Sequence, residues 1–392
     1  MFVLSFKRLP VTFLSALALL VALLATPFAQ AQVMIPAAPQ LSATAWILID
    51  ANSGKVIAEH NADKRIPPAS LTKMMTSYLL EYELKQGNVS LEDMVRVSVK
   101  AWRMPGSRMF IREGTFVSIS DLLRGVIIQS GNDASVAVAE HLAGSEESFA
   151  DMMNQHARAL GMKNTQFRNA TGLPEKDHYS SARDLALLSK VKIQDYPDHY
   201  AIYSEREFTY NNITQSNRNR LLWRDNSVDG LKTGHTDDAG YCLAASAIRD
   251  DMRLISVVMG ARSEEGRAQE SQKLLTYGFR YFETTRLYEQ YQVLNNVKLW
   301  KGVEDTLQLG VTEDLYATLP RGHVDSLNAD MQINPNIQAP IRAGDQLGRL
   351  VIRLGDDIIT EKPLVALENV DKAGFFKSLW HSLVMFFISL FS

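Results

Sequence analysis

The sequence predicts an α/β protein of the α+β type, in which one antiparallel sheet lies beside a helical layer and a small all-β domain follows. Strand signals near residues 44–58 and again at 231–259 enclose residues 70–190, whose apolar side chains follow helical spacing with capping signals. Beyond Tyr288 the pattern changes to short alternating runs separated by glycine-containing turns. Because strands that are consecutive along a chain usually pair, we expect one sheet built from both strand regions.

The individual strands are recognised by the turns between them. Residues 44–50 and 55–58 are apolar runs joined by Asn52-Ser53-Gly54, a tight-turn sequence that predicts a hairpin. The same reasoning predicts strands at residues 231–233, 241–247 and 253–259, turns at 237–240 and 249–251, and a helix at 263–284.

Both ends of the chain carry apolar segments, and their signatures differ. Two basic residues precede an apolar run at 11–24, and Ala29-Gln30-Ala31 offers small residues for cleavage, which predicts a removable export signal. An uncleaved membrane anchor is the alternative. Residues 371–392 predict an amphipathic helix whose aromatic and leucine-rich face suits a membrane interface. Packing on the protein's own core, or spanning the bilayer, are the alternatives there.

Charge and cysteine content exclude several classes of function. The chain has 392 residues, a formal net charge of −3 and a single cysteine, Cys242. Neutralising a phosphate backbone requires a strong basic excess, so no nucleic-acid partner is expected. One cysteine cannot form an internal disulfide, and its apolar surroundings predict a buried thiol rather than a nucleophile. The histidines lack metal-ligand spacing, so neither a metal nor another cofactor is predicted.

The segment Pro67-Pro68-Ala69-Ser70-Leu71-Thr72-Lys73 places a serine and a lysine three residues apart at a predicted helix start. Side chains at this spacing share one helix face, so the amine can reach the hydroxyl. The prolines cannot continue a helix, so Ser70 lies near its N-terminus, where free N–H groups favour negative charge. A desolvated lysine can serve as the base that a serine nucleophile needs. The spacing alone is weak evidence, because Ser189-Lys190-Val191-Lys192 repeats it late in a predicted helix.

Two further motifs make the prediction more specific. Ser130-Gly131-Asn132 follows an apolar helical run in a predicted loop, where an ordinary turn and N-cap is the alternative interpretation. Lys232-Thr233-Gly234 lies in a strand-like run, where an edge strand with a protective lysine is the alternative. In this order, S-x-x-K, S-x-N and K-T-G form the motif set typical of penicillin-recognising serine enzymes.

With these motifs the sequence resembles the low-molecular-weight penicillin-binding proteins, the D-alanyl-D-alanine carboxypeptidases of peptidase family S11. The resemblance covers nearly the whole chain and includes ASLTKMMTSY (69–78), QSGNDA (129–134), NRNRLLW (217–223) and VDGLKTGHTDDAGYC (228–242). It implies a fold like that of serine β-lactamases and DD-peptidases. The implied organisation is a signal peptide at 1–31, a DD-peptidase catalytic domain at 32–286, a C-terminal β domain at 287–370 and a membrane-anchoring amphipathic helix at 371–392.

The resemblance also implies roles for individual residues. Ser70 would attack the carbonyl between the two terminal D-alanines of a peptidoglycan stem peptide and form an acyl-enzyme. Lys73 would be the general base, and Ser130 would relay a proton to the leaving group. The implied substrate-binding residues are Asn132 for the substrate amide, Lys232, Arg218 and Arg267 for the terminal carboxylate, His235 for the oxyanion hole, and Thr233, Gly234 and Ser107 for the wall of the site.

The implied partners follow from the same resemblance. They are peptidoglycan stem peptides, β-lactam antibiotics as covalent inhibitors, and a membrane surface contacted by the C-terminal helix. The protein would be exported to the periplasmic face of the inner membrane.

Three other functions share part of this evidence. A serine β-lactamase has the same motifs, but it needs a second acid for fast deacylation; residues 163–168 contain none, and Glu175 stands in a different context. A DD-endopeptidase would use the same residues on cross-linked peptides. A non-catalytic wall-binding protein would be free to lose Ser70 and Lys73, and both are present.

Overall fold

The computed structural model describes residues 35–391, so the predicted signal peptide at 1–31 lies outside the described residues. Two strands precede the mostly helical stretch that the apolar spacing predicted, one short pair of strands lies within it, and the other strands follow it. In chain order the strands are β1 (Ala45–Asp50), β2 (Val56–His60), β3 (Met94–Arg96), β4 (Phe116–Ser118), β5 (Glu207–Tyr210), β6 (Ile213–Ser216), β7 (Val228–Thr236), β8 (Gly240–Arg249), β9 (Met252–Ala261), β10 (Phe282–Tyr288), β11 (Val293–Lys298), β12 (Thr306–Gly310), β13 (Leu315–Pro320), β14 (Leu327–Ile333), β15 (Gln346–Leu354) and β16 (Asp357–Ala366).

The helical layer is organised around one buried helix, α1 (Lys73–Gln86). Every residue from Lys73 to Glu81 is buried, although several of them are polar. Buried polar side chains need hydrogen-bond partners, so α1 requires a polar network from the segments around it. The other helices are α2 (Val99–Trp102), α3 (Ile119–Ile127), α4 (Asn132–Ala143), α5 (Glu146–Ala159), α6 (Ala182–Asp195), α7 (Pro197–Tyr200), α8 (Leu221–Arg224), α9 (Glu264–Tyr281) and α10 (Phe375–Phe391).

The main sheet has the spatial order β2-β1-β9-β8-β7 and is antiparallel throughout, which confirms that both strand regions contribute to one sheet. Side chains alternate across a strand, so β1 serves two layers. Ile47 and Ile49 join the core beneath the helices, whereas Leu48 packs beside Gly278 of α9. A Cβ at Gly278 would lie 2.5 Å from a leucine methyl of β9, so α9 approaches the sheet closely. β7 forms one edge of the sheet.

Two short ladders were missed by the sequence-based prediction. β3 pairs with β4 within the helical stretch, and β5 pairs with β6 after it. The β5–β6 turn is Asn211-Asn212, with φ angles of 50° and 58°. Asparagine tolerates such angles and favours two-residue hairpins, so a turn signal was present. The flanking strands are largely exposed and four residues long, and although Glu207–Tyr210 alternates polar and apolar residues, Ile213–Ser216 does not.

The C-terminal region confirms the predicted all-β pattern. It contains a five-stranded sheet of order β11-β12-β16-β15-β14, a β10–β13 pair and an apolar core of its own. A buried polar cluster joins it to the main sheet: Asp50 accepts bonds from Ser53 Oγ and Thr284 Oγ1, and Thr318 Oγ1 bonds both hydroxyls. β10 begins at Phe282, so the connection between the two regions is itself a strand.

The final helix, α10, is attached through its polar side. Lys377 Nζ lies 2.9 Å from Asp305, and His381 Nδ1 accepts the backbone N–H of Lys301 at 2.7 Å. No helix within residues 35–391 is long and apolar enough to cross a membrane. The side away from the β domain exposes Phe375, Phe376, Leu379, Trp380, Leu383, Phe386, Phe387, Ile388 and Leu390.

Candidate active site

Three chain segments that are distant in sequence meet around a cavity of about 260 Å³. They are the helical turn that carries Ser70, the loop between α3 and α4, and the edge strand β7. The cavity is lined by Ser70, Ser107, Ser130, Arg218, Thr233, Gly234, His235, Tyr241, Glu264 and Arg267.

Ser70 lies on a 3₁₀ turn, Ala69–Thr72, that leads directly into α1. Two glycines pack against this turn: a Cβ at Gly172 would lie 1.8 Å from the Ala69 oxygen, and one at Gly234 would lie 3.1 Å from Ser70 N. Ala69 has a φ of 48°, a left-handed conformation that is uncommon without glycine. Such strain persists only where the surroundings impose it, and it is concentrated at functional sites.

The side chain of Lys73 is fully buried and has three hydrogen-bonded neighbours. Its Nζ lies 3.2 Å from Ser70 Oγ, 2.6 Å from Asn132 Oδ1 and 2.6 Å from the carbonyl oxygen of Thr171. Burial disfavours the ammonium form and lowers the pKa of Lys73 to about 7, with smaller contributions from nearby charges of both signs. Near neutral pH a substantial fraction of this amine is uncharged and can accept a proton.

The Ser130 motif occupies the junction between α3 and α4. Ser130 is 2% exposed, lines the cavity and has a φ of 62°, another left-handed position. The backbone N–H of Asn132 donates to the carbonyl of Ser107 at 2.7 Å, and its Nδ2 donates to the carbonyl of Pro105 at 2.6 Å. These bonds orient the Asn132 side chain with its oxygen towards Lys73.

Asp133 was not predicted as a site residue, although it shapes the same loop. Its carboxylate accepts the backbone N–H groups of Met109, Phe110 and Ile111 at 3.0, 2.9 and 3.2 Å. Burial raises the pKa of Asp133, and these backbone bonds oppose the shift. The carboxylate thereby holds the segment that follows Ser107 against the start of α4.

Strand β7 contributes a cluster of positive charge. Lys232 is 3% exposed, and its Nζ donates to the carbonyl of Thr233 at 3.2 Å. Burial, together with the cations Lys73, Arg218 and Arg267, lowers the pKa of Lys232 well below its ordinary value. A group of mutually repelling cations beside a cavity favours an anionic ligand, and guanidinium groups suit a carboxylate.

Two arginines, Arg218 and Arg267, line the cavity. Arg218 is exposed and lies between Asn217 and Asn219, whose buried side chains donate to backbone carbonyl groups. Arg267 of α9 is 6% exposed, and its Nη2 lies 3.6 Å from Glu264. Glu264 also pairs with an arginine outside the cavity, at 3.1 Å.

The structure brings the residues singled out from the sequence to one place. Lys73, Asn132 and Lys232 are buried and contact residues of the cavity wall, and the others line the cavity themselves. Sequence reasoning missed the Tyr241 ring, whose centroid lies 4.0 Å from that of His235, and the carboxylate of Glu264. Their places depend on strand register and helix packing, for which no local motif exists.

The acid that was considered as a second base lies elsewhere. Glu175 is exposed and lines a different cavity, with His178 and Asp238. Within the described part of the chain, the acid that lines the Ser70 cavity is Glu264, and its carboxylate is paired with Arg220.

Comparisons with known proteins identify the family of the chain. The family described as D-alanyl-D-alanine carboxypeptidase matches residues 32–263, and the penicillin-binding protein 5 C-terminal domain matches 282–372. The chain is 47% identical over 358 residues to D-alanyl-D-alanine carboxypeptidase DacC of Escherichia coli (strain K12), covering 89% of this chain and 90% of that protein.

Solved structures give the same result. Penicillin binding protein 5 from Haemophilus influenzae is similar with a TM-score of 0.82 and 42% identity, over 86% of this chain and 100% of that one. Penicillin-binding protein D2 from Listeria monocytogenes, in its ampicillin-bound form, has a TM-score of 0.58 and 32% identity over 62% of this chain and 100% of that one. The chain therefore belongs to peptidase family S11, the D-alanyl-D-alanine carboxypeptidases, which are hydrolases.

Proposed function

We propose that the carboxypeptidase activity of this family proceeds here through an acyl-enzyme on Ser70, which removes the terminal D-alanine from peptidoglycan pentapeptide stems. The observation that carries this proposal is the buried amine of Lys73 lying 3.2 Å from Ser70 Oγ. A serine becomes nucleophilic when a base takes its proton, and a lysine whose pKa is about 7 can do so near neutral pH.

In the first step, Ser70 Oγ attacks the carbonyl carbon between the two D-alanines, and the hydroxyl proton passes to Lys73 Nζ. The carbonyl oxygen gains negative charge, which the backbone N–H groups of Ser70 and His235 would stabilise by about 3 kcal/mol each. Gly234 supports this arrangement, because its lack of a side chain lets β7 approach the backbone of Ser70.

In the second step, the bond between that carbon and the leaving nitrogen breaks. The nitrogen takes a proton through the Ser130 hydroxyl, which is replenished from the Lys73 ammonium group, and free D-alanine departs. A water molecule then attacks the ester carbon while Lys73 accepts a proton from it. Lys73 passes that proton to Ser70 Oγ as the ester bond breaks, which releases the shortened peptide and restores the Ser70 hydroxyl and the neutral amine. The position of Ser130 on the cavity wall supports its role as the relay.

The terminal carboxylate of the substrate would bind among Arg218, Arg267 and Lys232. Burial and the charges of Arg218 and Arg267 lower the pKa of Lys232, and burial and the charge of Arg218 lower that of Arg267, so an anion among these cations relieves their repulsion. Asn132 would hold the peptide amide once substrate enters, with Ser107 and Thr233 forming the wall beside it.

β-Lactams would acylate Ser70 in the same way and would be hydrolysed slowly. The acid in the cavity, Glu264, is engaged with arginines on the carboxylate side, so it is not available to activate water at Ser70. The ampicillin-bound form of the Listeria monocytogenes relative supports β-lactam binding by this fold.

The test measures D-alanine release from a synthetic pentapeptide that ends in D-Ala-D-Ala. Wild type and Ser189→Ala should release it at the same rate, and Ser70→Ala should release none above background. Equal release by wild type and Ser70→Ala would remove the enzymatic role of Ser70. A labelled penicillin should leave a lasting adduct on Ser70; rapid turnover without an adduct would favour a β-lactamase instead.

We also propose the organisation expected from the sequence: export with removal of residues 1–31, a catalytic domain to 286, a β domain at 287–370 and peripheral attachment by 371–392 to the periplasmic face of the inner membrane. The aromatic surface of α10 supports attachment, since Phe376 is 85% and Trp380 65% exposed. The protein should sediment with phospholipid vesicles, and Phe376→Ser with Trp380→Ser should abolish this. Trp223→Ser, which alters another exposed tryptophan, should not. Retained binding by the double variant would contradict attachment through α10.

A further inference from the structure

The amine of Lys73 has more hydrogen-bonded neighbours than a neutral amine has N–H groups. A neutral amine offers two N–H groups and one lone pair. Asn132 Oδ1 and the Thr171 carbonyl oxygen can only accept, and both lie at 2.6 Å, whereas Ser70 Oγ lies at 3.2 Å and can donate. When the two acceptors take the two N–H groups, the lone pair faces Ser70. The position of the Thr171 carbonyl therefore decides where the base points.

That carbonyl belongs to a turn, residues 169–172, which is built around the side chain of Asn169. Asn169 Oδ1 accepts the Thr171 N–H at 3.1 Å, the Thr171 hydroxyl at 3.1 Å and the Gly172 N–H at 2.7 Å. Its Nδ2 donates to the carbonyl of Leu173 at 3.1 Å. This one amide side chain, which is 9% exposed, therefore forms hydrogen bonds with the backbone of residues 171–173.

Neighbouring segments hold the outer side of the turn. Thr76 Oγ1 of α1 donates to the carbonyl of Ala170 at 2.7 Å, and Glu146 of α5 accepts the Ala170 N–H at 3.1 Å. Gly172, with φ at 80°, packs onto the Ala69 carbonyl without room for a Cβ. The turn therefore cannot shift without moving the helical segment that carries Ser70.

We propose that Asn169 is a positioning residue for the general base: it holds the Thr171 carbonyl where that oxygen takes one N–H of Lys73 and directs the lone pair to Ser70. Asn169 itself touches neither Ser70 nor the cavity. This inference rests on the acyl-enzyme mechanism proposed above.

Several charged groups face Lys73 and would influence its titration. They are Asp133 of α4, Glu146 of α5, Arg218 before α8, Lys232 of β7 and His178 before α6. Burial lowers the pKa of His178 to about 4, so this side chain stays neutral from pH 5 upwards. Replacing Asn169 removes none of these charges. The exposed Glu175 accepts one bond from Asn169 Nδ2, at 3.3 Å.

The experiment measures the rate of covalent labelling by a fluorescent penicillin between pH 5 and pH 9. Asn169→Ala should slow labelling about 100-fold, the cost of misplacing a reacting group by about an ångström. The acidic limb of the pH profile, in which the labelling rate falls with falling pH, should move to lower pH in this variant. The reason is that the ammonium form of Lys73 loses a hydrogen-bond acceptor. Asn169→Ser should recover part of the rate, since a serine hydroxyl supports the same kind of turn more weakly.

Asn154→Ala is the matched control. Asn154 clamps the same segment two residues upstream of Asn169, with both its amide atoms 2.8 Å from the backbone of Phe167. The Asn154→Ala substitution should lower the thermal midpoint of unfolding. It should leave the labelling rate per folded molecule and the acidic limb of the pH profile unchanged.

Two results would overturn the inference. The first is that Asn169→Ala is labelled at a rate within twofold of wild type. The second is that Asn169→Ala and Asn154→Ala lose the same labelling rate and the acidic limb of the pH profile does not move. Should Asn169→Ala fail to fold, Asn169→Ser decides, since a wild-type rate and limb in that variant would equally overturn it. Ser70→Ala separates the two proposals, because labelling that survives in Ser70→Ala would refute the acyl-enzyme on Ser70 itself.

Discussion

The chain contains the Ser-x-x-Lys pattern twice, and the two copies have different surroundings. Ser70 lies at the start of a helical segment and is contacted by its lysine, whose other neighbours are neutral oxygen atoms. Ser189 lies inside α6, and its hydroxyl donates to the carbonyl of Leu185 in its own helix. The same spacing therefore produces a serine–lysine contact only where the helix begins at the serine.

The two lysines show what distinguishes a base from a structural cation. Lys192 is as buried as Lys73, but its Nζ bonds to the carboxylate of Glu81 and, at 2.9 Å, to Ser77 Oγ. Burial lowers the pKa of Lys192, and the charge of Glu81 opposes that shift. A buried lysine in contact with a carboxylate is stabilised as an ion pair, whereas one surrounded by neutral acceptors gives up its proton more readily.

The largest effect should come from Lys73→Met, which removes the base and keeps a side chain of similar length. Labelling of Ser70 by penicillin should slow about 1,000-fold, within the range of general-base catalysis. The thermal midpoint should stay within a few degrees of wild type. Labelling and circular dichroism melting measure the two quantities, and a variant that labels within tenfold of wild type would argue against Lys73 as the base.

The complementary variant, Lys192→Met, should affect stability instead of catalysis. It leaves the buried carboxylate of Glu81 without a partner, which costs about 3–5 kcal/mol of unfolding free energy. Urea denaturation measures this loss, while labelling per folded molecule should stay within twofold. Adding Glu81→Leu to Lys192→Met should restore most of the stability, because no unpaired charge remains. A Lys192→Met protein that is stable but inactive would reverse the assignment of the two lysines.

The pH dependence of acylation should follow the titration of Lys73 and should not depend on the pair formed by Lys192 and Glu81. The neutral form of Lys73 is the active one, and its pKa is about 7, so activity is present above that pH and lost as the pH falls. The acylation rate should fall about tenfold for each pH unit well below the pKa. Acylation rates measured from pH 5 to 9 should fall at the same pH in wild type and in the double variant Lys192→Met with Glu81→Leu. A different pH in the double variant would mean that the pair of Lys192 and Glu81 influences the titration of Lys73.

The smallest effect should come from Ser77→Ala, which removes one of the two hydrogen-bond partners of Lys192. The pair with Glu81 persists, so the loss of unfolding free energy should be about 1 kcal/mol. Labelling of Ser70 should not change. A loss as large as that of Lys192→Met would show that Ser77, rather than Glu81, is what keeps Lys192 buried.

Much of the fold could be predicted from the sequence, because strands, helices and turns leave local signatures. The main sheet, the helix after it and the final all-β region were found in this way, and Cys242 is buried as its apolar surroundings predicted. The β5–β6 hairpin was missed because its strands are largely exposed and only four residues long, which leaves too short a pattern to recognise. The role of Asp133 in holding the Ser107 segment was missed because its partners are backbone groups more than twenty residues away.

The sequence by itself determined the chemical groups of this protein: a serine and lysine one turn apart behind two prolines, a second serine in a helix-to-helix loop, and a lysine on an edge strand. Their order was enough to indicate the family. The tertiary structure decided which of the two Ser-x-x-Lys lysines is a base, and it placed the Thr171 carbonyl, 98 residues from Lys73, where that base needs an acceptor. The physical reason is that proton affinity and lone-pair direction depend on burial and on partners that the folded chain brings from distant positions.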